Sequence, residues 1–218
     1  MLFDAARVAA PTPALLMPAT YGPDAQAVQQ GGRQAAWFVR AAFGEGVLRH
    51  YQRGGMVARI SRDRYVWRGE DATRAFAEFR VMQHLAGLGL AVPVPLAAGY
   101  WRSGLTYRAA LLTARIEQAR PLAQALDATR VAPVAAAIVA MHRAGAWHAD
   151  LNAFNILFDA GQRVWLIDFD RATLGVISPS ARRANITRLQ RSLLKVAGAE
   201  GQAFGVSLAE AYEQIWKA

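Results

Sequence analysis

The segment that most constrains the fold of this 218-residue chain is residues 147–172. It contains two short, largely apolar runs, 155–158 and 164–167, separated by a turn sequence of Asp, Ala and Gly. Apolar runs of this length around such a turn predict a β-hairpin. Because the two ends of a hairpin lie side by side, we expect Asn155 and Asp168 to be neighbours.

These neighbouring side chains predict a magnesium site. An amide oxygen and a carboxylate suit Mg²⁺ when phosphate oxygens complete its octahedral coordination. Asp150 lies on a short loop before Asn155 and is left to accept a proton from an attacking hydroxyl. This division of roles is typical of phosphoryl transfer. We therefore predict Asp150, Asn155 and Asp168 as catalytic, with Asn155 and Asp168 as metal ligands.

The prediction depends on the whole pattern, because an isolated Asp or Asn in a loop is usually a turn former or a cap. Two histidines nearby are expected to be structural. His148 is expected to bond backbone carbonyls within the loop, and His142, on the preceding helix, to be packed in the core. Neither is predicted to carry a proton during catalysis.

The remaining sequence predicts an α+β fold with a strand-rich first half and a helical second half. Residues 1–30, rich in Pro, Ala and Gln, are expected to be an irregular lead-in. The predicted strands are 37–39 and 47–51 around a turn at 44–46, then 96–101 and 107–113 around a turn at 102–104. The predicted helices are 73–85, 122–126, 131–143 and two within 180–218. This order favours two lobes around a cleft.

The motif His-x-Asp-Leu-x-x-x-Asn, from His148 to Asn155, is followed thirteen residues later by Asp-Phe. It resembles the catalytic and metal-binding loops of the protein-kinase-like superfamily. The resemblance implies a single kinase-like domain over 1–218 that uses ATP. Its small β-rich N-lobe with one helix would span about 31–116, and its short helical C-lobe about 117–218.

Members of this superfamily pair a strand lysine, which grips the ATP phosphates, with a helix glutamate. Glu78, on the predicted helix, is the candidate glutamate. This half of the chain contains no lysine, so the candidate cation is Arg49, since arginine can neutralise phosphates and fork a glutamate. Gly31 and Gly32 stand where a phosphate-covering loop is expected, and residues 112–117 stand where the adenine should meet the backbone.

Three segments give a narrower resemblance: 48–55 (LRHYQRGG), 148–152 (HADLN) and 168–171 (DFDR). Together they resemble the bacterial 3-deoxy-D-manno-octulosonic acid (Kdo) kinases, which belong with the lipopolysaccharide-core sugar kinases, over about 31–195. The resemblance implies ATP-dependent phosphorylation of the 4-hydroxyl of Kdo on a lipid A precursor. It also implies a place at the cytoplasmic face of the inner membrane.

The candidate substrate residues are Asp170, Arg171, Arg62 and Arg64. The sequence leaves three roles open for Asp170, which stands where the superfamily has glycine: ligating the metal, accepting a bond from Arg171, or binding substrate. The basic segment 59–68, which also carries Tyr and Trp, is the candidate membrane or substrate edge. A solvated basic loop is the alternative interpretation.

Charge favours an anionic partner. The formal net charge is +9, and all but two of the 25 basic residues are arginines, which bind phosphate and carboxylate well. Only the charge supports nucleic acid as a partner, so nucleic acid is not expected. An anionic membrane surface is the expected partner. The absence of cysteine and of a signal-peptide pattern fits a cytoplasmic protein.

Two alternatives remain open at this stage. One is a kinase of the same fold that acts on a core heptose, an aminoglycoside or a protein side chain. The other is a pseudokinase, a binding module without catalysis, for which Arg49 is the best argument. Against the pseudokinase stands the complete set of Asp150, Asn155 and Asp168.

Overall fold

The computed structural model describes three stretches of the chain, residues 1–28, 36–52 and 63–218. They fall into two compact units. The sheet unit comprises Met1–Arg80 with Val94–Arg115, and the helical unit comprises Val81–Pro93 with Ile116–Ala218. A β-rich part and a helical C-terminal part agree with the predicted α+β class. No helix within the described stretches is both long and apolar enough to cross a bilayer.

The sheet unit is built on an antiparallel sheet of seven described strands. They are β1 (Leu2–Phe3), β2 (Ala25–Ala27), β3 (Ala36–Ala41), β4 (Gly44–His50), β5 (Tyr65–Val66), β6 (Pro95–Ser103) and β7 (Thr106–Ala114). Their order is β1-β6-β7-β4-β3-β2, with β5 paired to β7. Both predicted hairpins form. In the first, Ala41 pairs with Gly44, so its turn is two residues earlier than the sequence suggested.

The first 28 residues are part of this unit, which corrects the expectation of an irregular lead-in. Strand β1 pairs with β6, and β2 pairs with β3. In the segment that connects β1 to β2, Val8, Leu16 and Tyr21 are buried in one cluster with side chains of the sheet. The Leu16 side chain lies directly over Gly99, where a Cβ would be 2.4 Å from Leu16 Cδ1 and would force that side chain to shift. These contacts join residues that are far apart in the sequence, so no local periodicity could predict them.

Helix α1 (Arg74–Gly87) forms where the threefold spacing of apolar residues predicted it. Phe76, Phe79, Met82 and Leu85 are all buried, which is the expected consequence of one apolar stripe. The division between the two units falls within this helix, after Arg80.

The helical unit contains two further helices and three small strand pairings. The helices are α2 (Val131–Arg143) and α3 (Pro179–Lys217). The strands are β8 (Arg120–Pro121), β9 (Ala146–Trp147), β10 (Ile156–Phe158), β11 (Val164–Leu166) and β12 (Thr173–Leu174). Strand β10 pairs with β11 and β8, and β9 pairs with β12. Helix α3 kinks at Ala197 and Gly198, which gives the two helical segments predicted there, while Leu122–Gln124 forms a 3₁₀ turn.

Gly145 ends α2 and turns the chain toward the segment with the predicted chemistry. Its φ is +76°, and a Cβ at this position would lie 2.9 Å from the carbonyl oxygen of Gly175. The backbone N–H of Gly175 donates in turn to the carbonyl oxygen of Gly145 at 2.8 Å. Only glycine meets both requirements without strain.

Candidate active site

The predicted hairpin holds Asn155 and Asp168 at one end. Strands β10 and β11 pair Ile156 with Leu166, and the backbone N–H of Ile167 donates to the carbonyl oxygen of Asn155 at 3.0 Å. Asp168 therefore directly follows the residue that is bonded to Asn155. Its φ of 62° lies in the left-handed region, which Asp and Asn tolerate better than most residues.

The Asn155 side chain has its nitrogen committed to the loop. Its Nδ2 donates to the carbonyl oxygen of Asp150 at 2.9 Å, so Oδ1 is the atom kept for another partner. An amide oxygen next to the Asp168 carboxylate is a donor set that fits Mg²⁺. In the described stretches no three His, Asp, Glu or Cys side chains group together as a metal site. A Mg²⁺ at Asn155 and Asp168 would therefore take its other ligands from phosphate oxygens and water.

Asp150 lies on the loop between β9 and β10, with its backbone fixed and its carboxylate accessible. Its N–H donates to His148 Nδ1 at 3.1 Å, and its carbonyl also accepts from Asn152 Nδ2 at 3.0 Å. The side chain is 57% exposed, and its Oδ1 accepts a hydrogen bond from Arg188 Nη1 of α3 at 2.9 Å. The loop thus fixes the backbone of Asp150 while its carboxylate stays open to solvent, as a candidate general base requires.

His148 is a structural member of the loop, as predicted. Because its Nδ1 accepts from the Asp150 amide, its Nε2 carries the proton and donates to the carbonyl oxygen of Ile167 at 2.9 Å. Burial lowers the pKa of the ring, which favours this neutral form. The ring also packs on Phe169, with the centroids 5.0 Å apart. His148 thus links the Asp150 loop to the segment that leads into Asp168.

Asn185 of α3 anchors the same loop, a role that was not predicted from the sequence. It is 1% exposed. Its Nδ2 donates to the carbonyl oxygen of His148 at 2.7 Å, and its Oδ1 accepts from the His148 N–H at 3.3 Å. The same Oδ1 accepts from His142 Nε2 at 3.0 Å, and His142 Nδ1 accepts from the Tyr212 hydroxyl at 2.8 Å. His142 is therefore a buried core histidine, as predicted.

Replacing Asn185 with leucine is expected to destabilise the protein by about 3 kcal/mol or more. The change leaves the His148 N–H, the His148 carbonyl and the His142 ring without their buried partner, and each such loss costs about 1–3 kcal/mol. Urea unfolding would measure the effect. Thr187→Leu, at an exposed position on the same helix, is the control and should change stability by less than about 0.5 kcal/mol. Equal stability of the two variants would refute the anchoring role.

In the sheet unit, Arg49 of β4 and Glu78 of α1 form the ion pair that the sequence predicted. Arg49 Nη2 lies 2.6 Å from Glu78 Oε1 and 2.5 Å from Oε2. The Glu78 side chain is only 2% exposed, whereas that of Arg49 is 29% exposed. Since a buried carboxylate needs a charged or hydrogen-bonding partner, the guanidinium satisfies Glu78 and still reaches solvent.

Tyr51 completes this cluster and was also missed. Its hydroxyl donates to Glu78 Oε2, and its ring lies 5.0 Å from the Arg49 guanidinium and 5.6 Å from that of Arg74. Burial, assisted by the Glu78 charge, raises the pKa of Tyr51 well above its usual value, so the hydroxyl remains a donor. Strand alternation places residues 49 and 51 on one face, a signal that could have identified Tyr51.

The face of the sheet that carries Arg49 also carries half-buried apolar side chains. Phe38 pairs with Val47, two residues before Arg49, across β3 and β4. The guanidinium of Arg115 lies 3.8 Å from the Phe38 ring and donates to Glu45 Oε2 at 2.8 Å. These groups line a depression of about 220 Å³. Arg115 belongs to the segment 112–117 where the sequence placed the adenine contact.

Several predicted site residues lie elsewhere. Gly31, Gly32, Arg59 and Arg62 fall outside the described residues. Arg64 and Arg68 are exposed. The aromatic residues between them, Tyr65 and Trp67, pack on tyrosines of the sheet unit.

Tyr65 is buried, and Trp67 packs on Tyr100 with their centroids 5.0 Å apart. After Asp168, Phe169 is fully buried, Asp170 is partly buried and Arg171 is exposed with a φ of 64°. Asp170 and Arg171 therefore retain solvent accessibility within three residues of Asp168.

Comparison with known proteins gives one consistent result. The model of the lipopolysaccharide kinase (Kdo/WaaP) family matches residues 22–212. A 3-deoxy-D-manno-octulosonic acid kinase of Xanthomonas axonopodis pv. citri (strain 306) is 54% identical over 202 residues, 91% of this chain and 81% of the relative. One of Stenotrophomonas maltophilia (strain R551-3) is 49% identical over 224 residues, 99% of this chain and 90% of the relative.

Proposed function

Because this chain belongs to the lipopolysaccharide kinase (Kdo/WaaP) family, we propose that it phosphorylates a hydroxyl group of Kdo in lipopolysaccharide biosynthesis. The two relatives reported above are named Kdo kinases and align with 91% and 99% of this chain. The observation that carries the proposal is the hairpin end, where Asn155 and Asp168 adjoin and the Asp150 loop is bonded to Asn155.

We assign the reaction steps to residues as follows. Asp150 accepts the proton of the acceptor hydroxyl as its oxygen attacks the γ-phosphorus of ATP and the bond to the bridging oxygen of ADP breaks. Asn155 Oδ1 and the Asp168 carboxylate would hold Mg²⁺, which would supply charge neutralisation on the phosphate oxygens. Arg49, oriented by Glu78 and Tyr51, donates to the ATP phosphates.

The sheet unit and the helical unit would correspond to the two lobes of a kinase-like domain. The sheet unit contains most of the predicted N-lobe, about 31–116, together with the first 28 residues that pack on it, whereas residues 81–93 belong to the helical unit. The helical unit contains the predicted C-lobe, about 117–218, together with the end of α1. Each unit by itself holds one of the two predicted groups of site residues.

We further propose that the group phosphorylated is the 4-hydroxyl of Kdo on a lipid A precursor. Such a precursor is anionic through its phosphates and the sugar carboxylate, and a chain of net charge +9 is attracted to it and to anionic lipid. We accordingly propose peripheral association with the cytoplasmic face of the inner membrane. Exposed arginines such as Arg64 and Arg171 are candidates for these contacts.

The role of Arg49 leads to a graded prediction. Arg49→Lys is expected to retain measurable ATP affinity and activity, because the phosphates need a cation at this position. Arg49→Ala is expected to weaken ATP binding by about 10- to 100-fold, the value of one or two charged hydrogen bonds. Titration of ATP binding would measure both, with Arg108→Ala, at an exposed arginine of β7 paired with Asp63, as control. Unchanged binding in Arg49→Ala would show that another group grips the phosphates.

The function itself is tested by phosphate transfer from labelled ATP, with Mg²⁺, to a Kdo-modified lipid A precursor. Transfer is expected with that acceptor and not with the precursor lacking Kdo. ATP hydrolysis without transfer would keep the kinase assignment and redirect the search to other acceptors, such as a core heptose. Absence of both ATP binding and hydrolysis would favour the pseudokinase.

A further inference from the structure

Arg188 of α3 and Asp150 share one contact and leave their other polar atoms unused. Nη1 of Arg188 donates to Asp150 Oδ1 at 2.9 Å. Among the residues that the structure describes, Nε and Nη2 of Arg188 have no protein acceptor, and Asp150 Oδ2 has no protein donor. Both side chains are about half exposed, 47% for Arg188 and 57% for Asp150. An acceptor oxygen and two donor nitrogens are thus present on two neighbouring, half-exposed side chains.

The Asp150 loop does not need Arg188 for its shape. Asn185 bonds both backbone groups of His148, and the His148 ring receives the Asp150 N–H. The hydroxyl of Ser192, also on α3, accepts from the backbone N–H of Ala153 at 3.1 Å. These buried or half-buried bonds already fix the loop to α3. An additional ion pair between two exposed side chains contributes little to stability, so a structural role leaves Arg188 largely unexplained.

The geometry instead suits recognition of an acceptor that carries an anion near the reacting hydroxyl. Because Arg188 occupies only Oδ1, the hydroxyl can donate to Oδ2 of Asp150. A guanidinium presents its N–H donors in a planar fork that matches a carboxylate. The remaining donors of Arg188 lie beside the carboxylate that must receive the proton, so an anion bound there would sit next to the reacting hydroxyl.

We propose that Arg188 binds the carboxylate of the acceptor sugar and thereby selects an acidic sugar over a neutral one. This inference rests on the proposed function, since it takes Kdo as the acceptor and Asp150 as the base. In Kdo, the carboxylate is attached to C2 and the 4-hydroxyl to C4, so only C3 separates the two ring positions. One guanidinium, with five N–H donors, is able to hold the Asp150 carboxylate and the sugar carboxylate together.

The test compares two acceptors and three proteins. The acceptors are the Kdo-modified lipid A precursor and the same molecule with the Kdo carboxylate converted to its neutral carboxamide. The proteins are the wild type, Arg188→Gln and Arg191→Gln. Arg191 lies three residues further along α3, is exposed and has no hydrogen bond or ion pair within the described residues. It therefore controls for the loss of one positive charge on this helix.

The wild type and Arg191→Gln are expected to prefer the carboxylate acceptor by about 10- to 100-fold in kcat/KM, the value of a charged hydrogen-bonded contact. Arg188→Gln is expected to lose most of that preference, mainly through a higher KM for the carboxylate acceptor. A role confined to orienting Asp150 would instead lower kcat for both acceptors equally and leave the preference intact.

Two results would overturn the proposal, and they are distinguishable. In the first, the wild type phosphorylates the Kdo acceptor but Arg188→Gln keeps the full preference for the carboxylate. Arg188 then does not bind that carboxylate, and the proposed function is unaffected. If the wild type transfers phosphate to neither acceptor, the proposed function fails and this inference fails with it.

Discussion

Replacing Asp150 with asparagine is expected to reduce turnover by about 10²- to 10⁴-fold, the usual contribution of a positioned general base. The amide keeps the size and shape of the carboxylate but cannot accept the proton of the attacking hydroxyl at physiological pH. ATP binding should be nearly unchanged, because no ATP contact is assigned to Asp150. Single-turnover phosphate transfer and ATP titration would measure the two effects separately.

The matched control for this substitution is Asp71→Asn, which removes the same charge. The Asp71 side chain is 83% exposed and its described partner is the exposed Arg80, so transfer should stay near the wild-type rate. The loss of the Arg188 contact in Asp150→Asn should have little effect on folding, because that ion pair is exposed. A turnover within about threefold of the wild type would remove Asp150 from the role of base, since positioned bases contribute far more.

Helices and hairpins were predictable where one short stretch of sequence contained all the residues that determine them. Helix α2 begins and ends at the predicted residues because its apolar spacing and Gly145 are both local. The β10–β11 hairpin follows from two apolar runs and a turn. Its pairing in turn predicts that Asn155 and Asp168 are neighbours. The register that places Ile167 against Asn155 is the observed one.

The missed residues are those whose partners lie far away in sequence. Asn185 bonds His148 across 37 residues, and Arg188 bonds Asp150 across 38. Both stand in a helix where polar residues ordinarily face solvent, so no local pattern distinguishes them from Arg191. Leu16 is a similar case, because its burial depends on a strand that contains Gly99. Contacts of this kind become visible only when the chain is folded.

The absence of a lysine in the sheet unit is compatible with phosphate binding because of what surrounds Arg49. Its guanidinium contacts both oxygens of Glu78, and the Tyr51 hydroxyl supplies a further bond to the same carboxylate. Both of these described partners donate to the buried carboxylate, and the Arg49 side chain is still 29% exposed. A lysine at this position would offer a single point charge in place of the fork. The pseudokinase argument based on Arg49 is weakened accordingly.

Replacing Asp168 with alanine is expected to abolish the Mg²⁺ dependence of nucleotide binding. Asp168 is the carboxylate of the proposed donor set, and Asn155 alone offers one neutral oxygen to a cation that prefers charged oxygen ligands. ATP binding measured with and without Mg²⁺ should therefore differ in the wild type and coincide in the variant. Phosphate transfer should be lost with it, because charge on the transferred group is no longer neutralised.

Backbone strain must be separated from ligand loss in this experiment, because Asp168 has a left-handed φ of 62°. Asp168→Asn provides the separation, since asparagine tolerates this conformation and removes only the charge. Both Asp168 variants should lose the Mg²⁺ effect, whereas Asp170→Ala, on the same turn, should keep it if Asp170 serves the acceptor and not the metal. Mg²⁺-dependent binding that survives in Asp168→Asn and disappears in Asp170→Ala would move the metal site to Asp170.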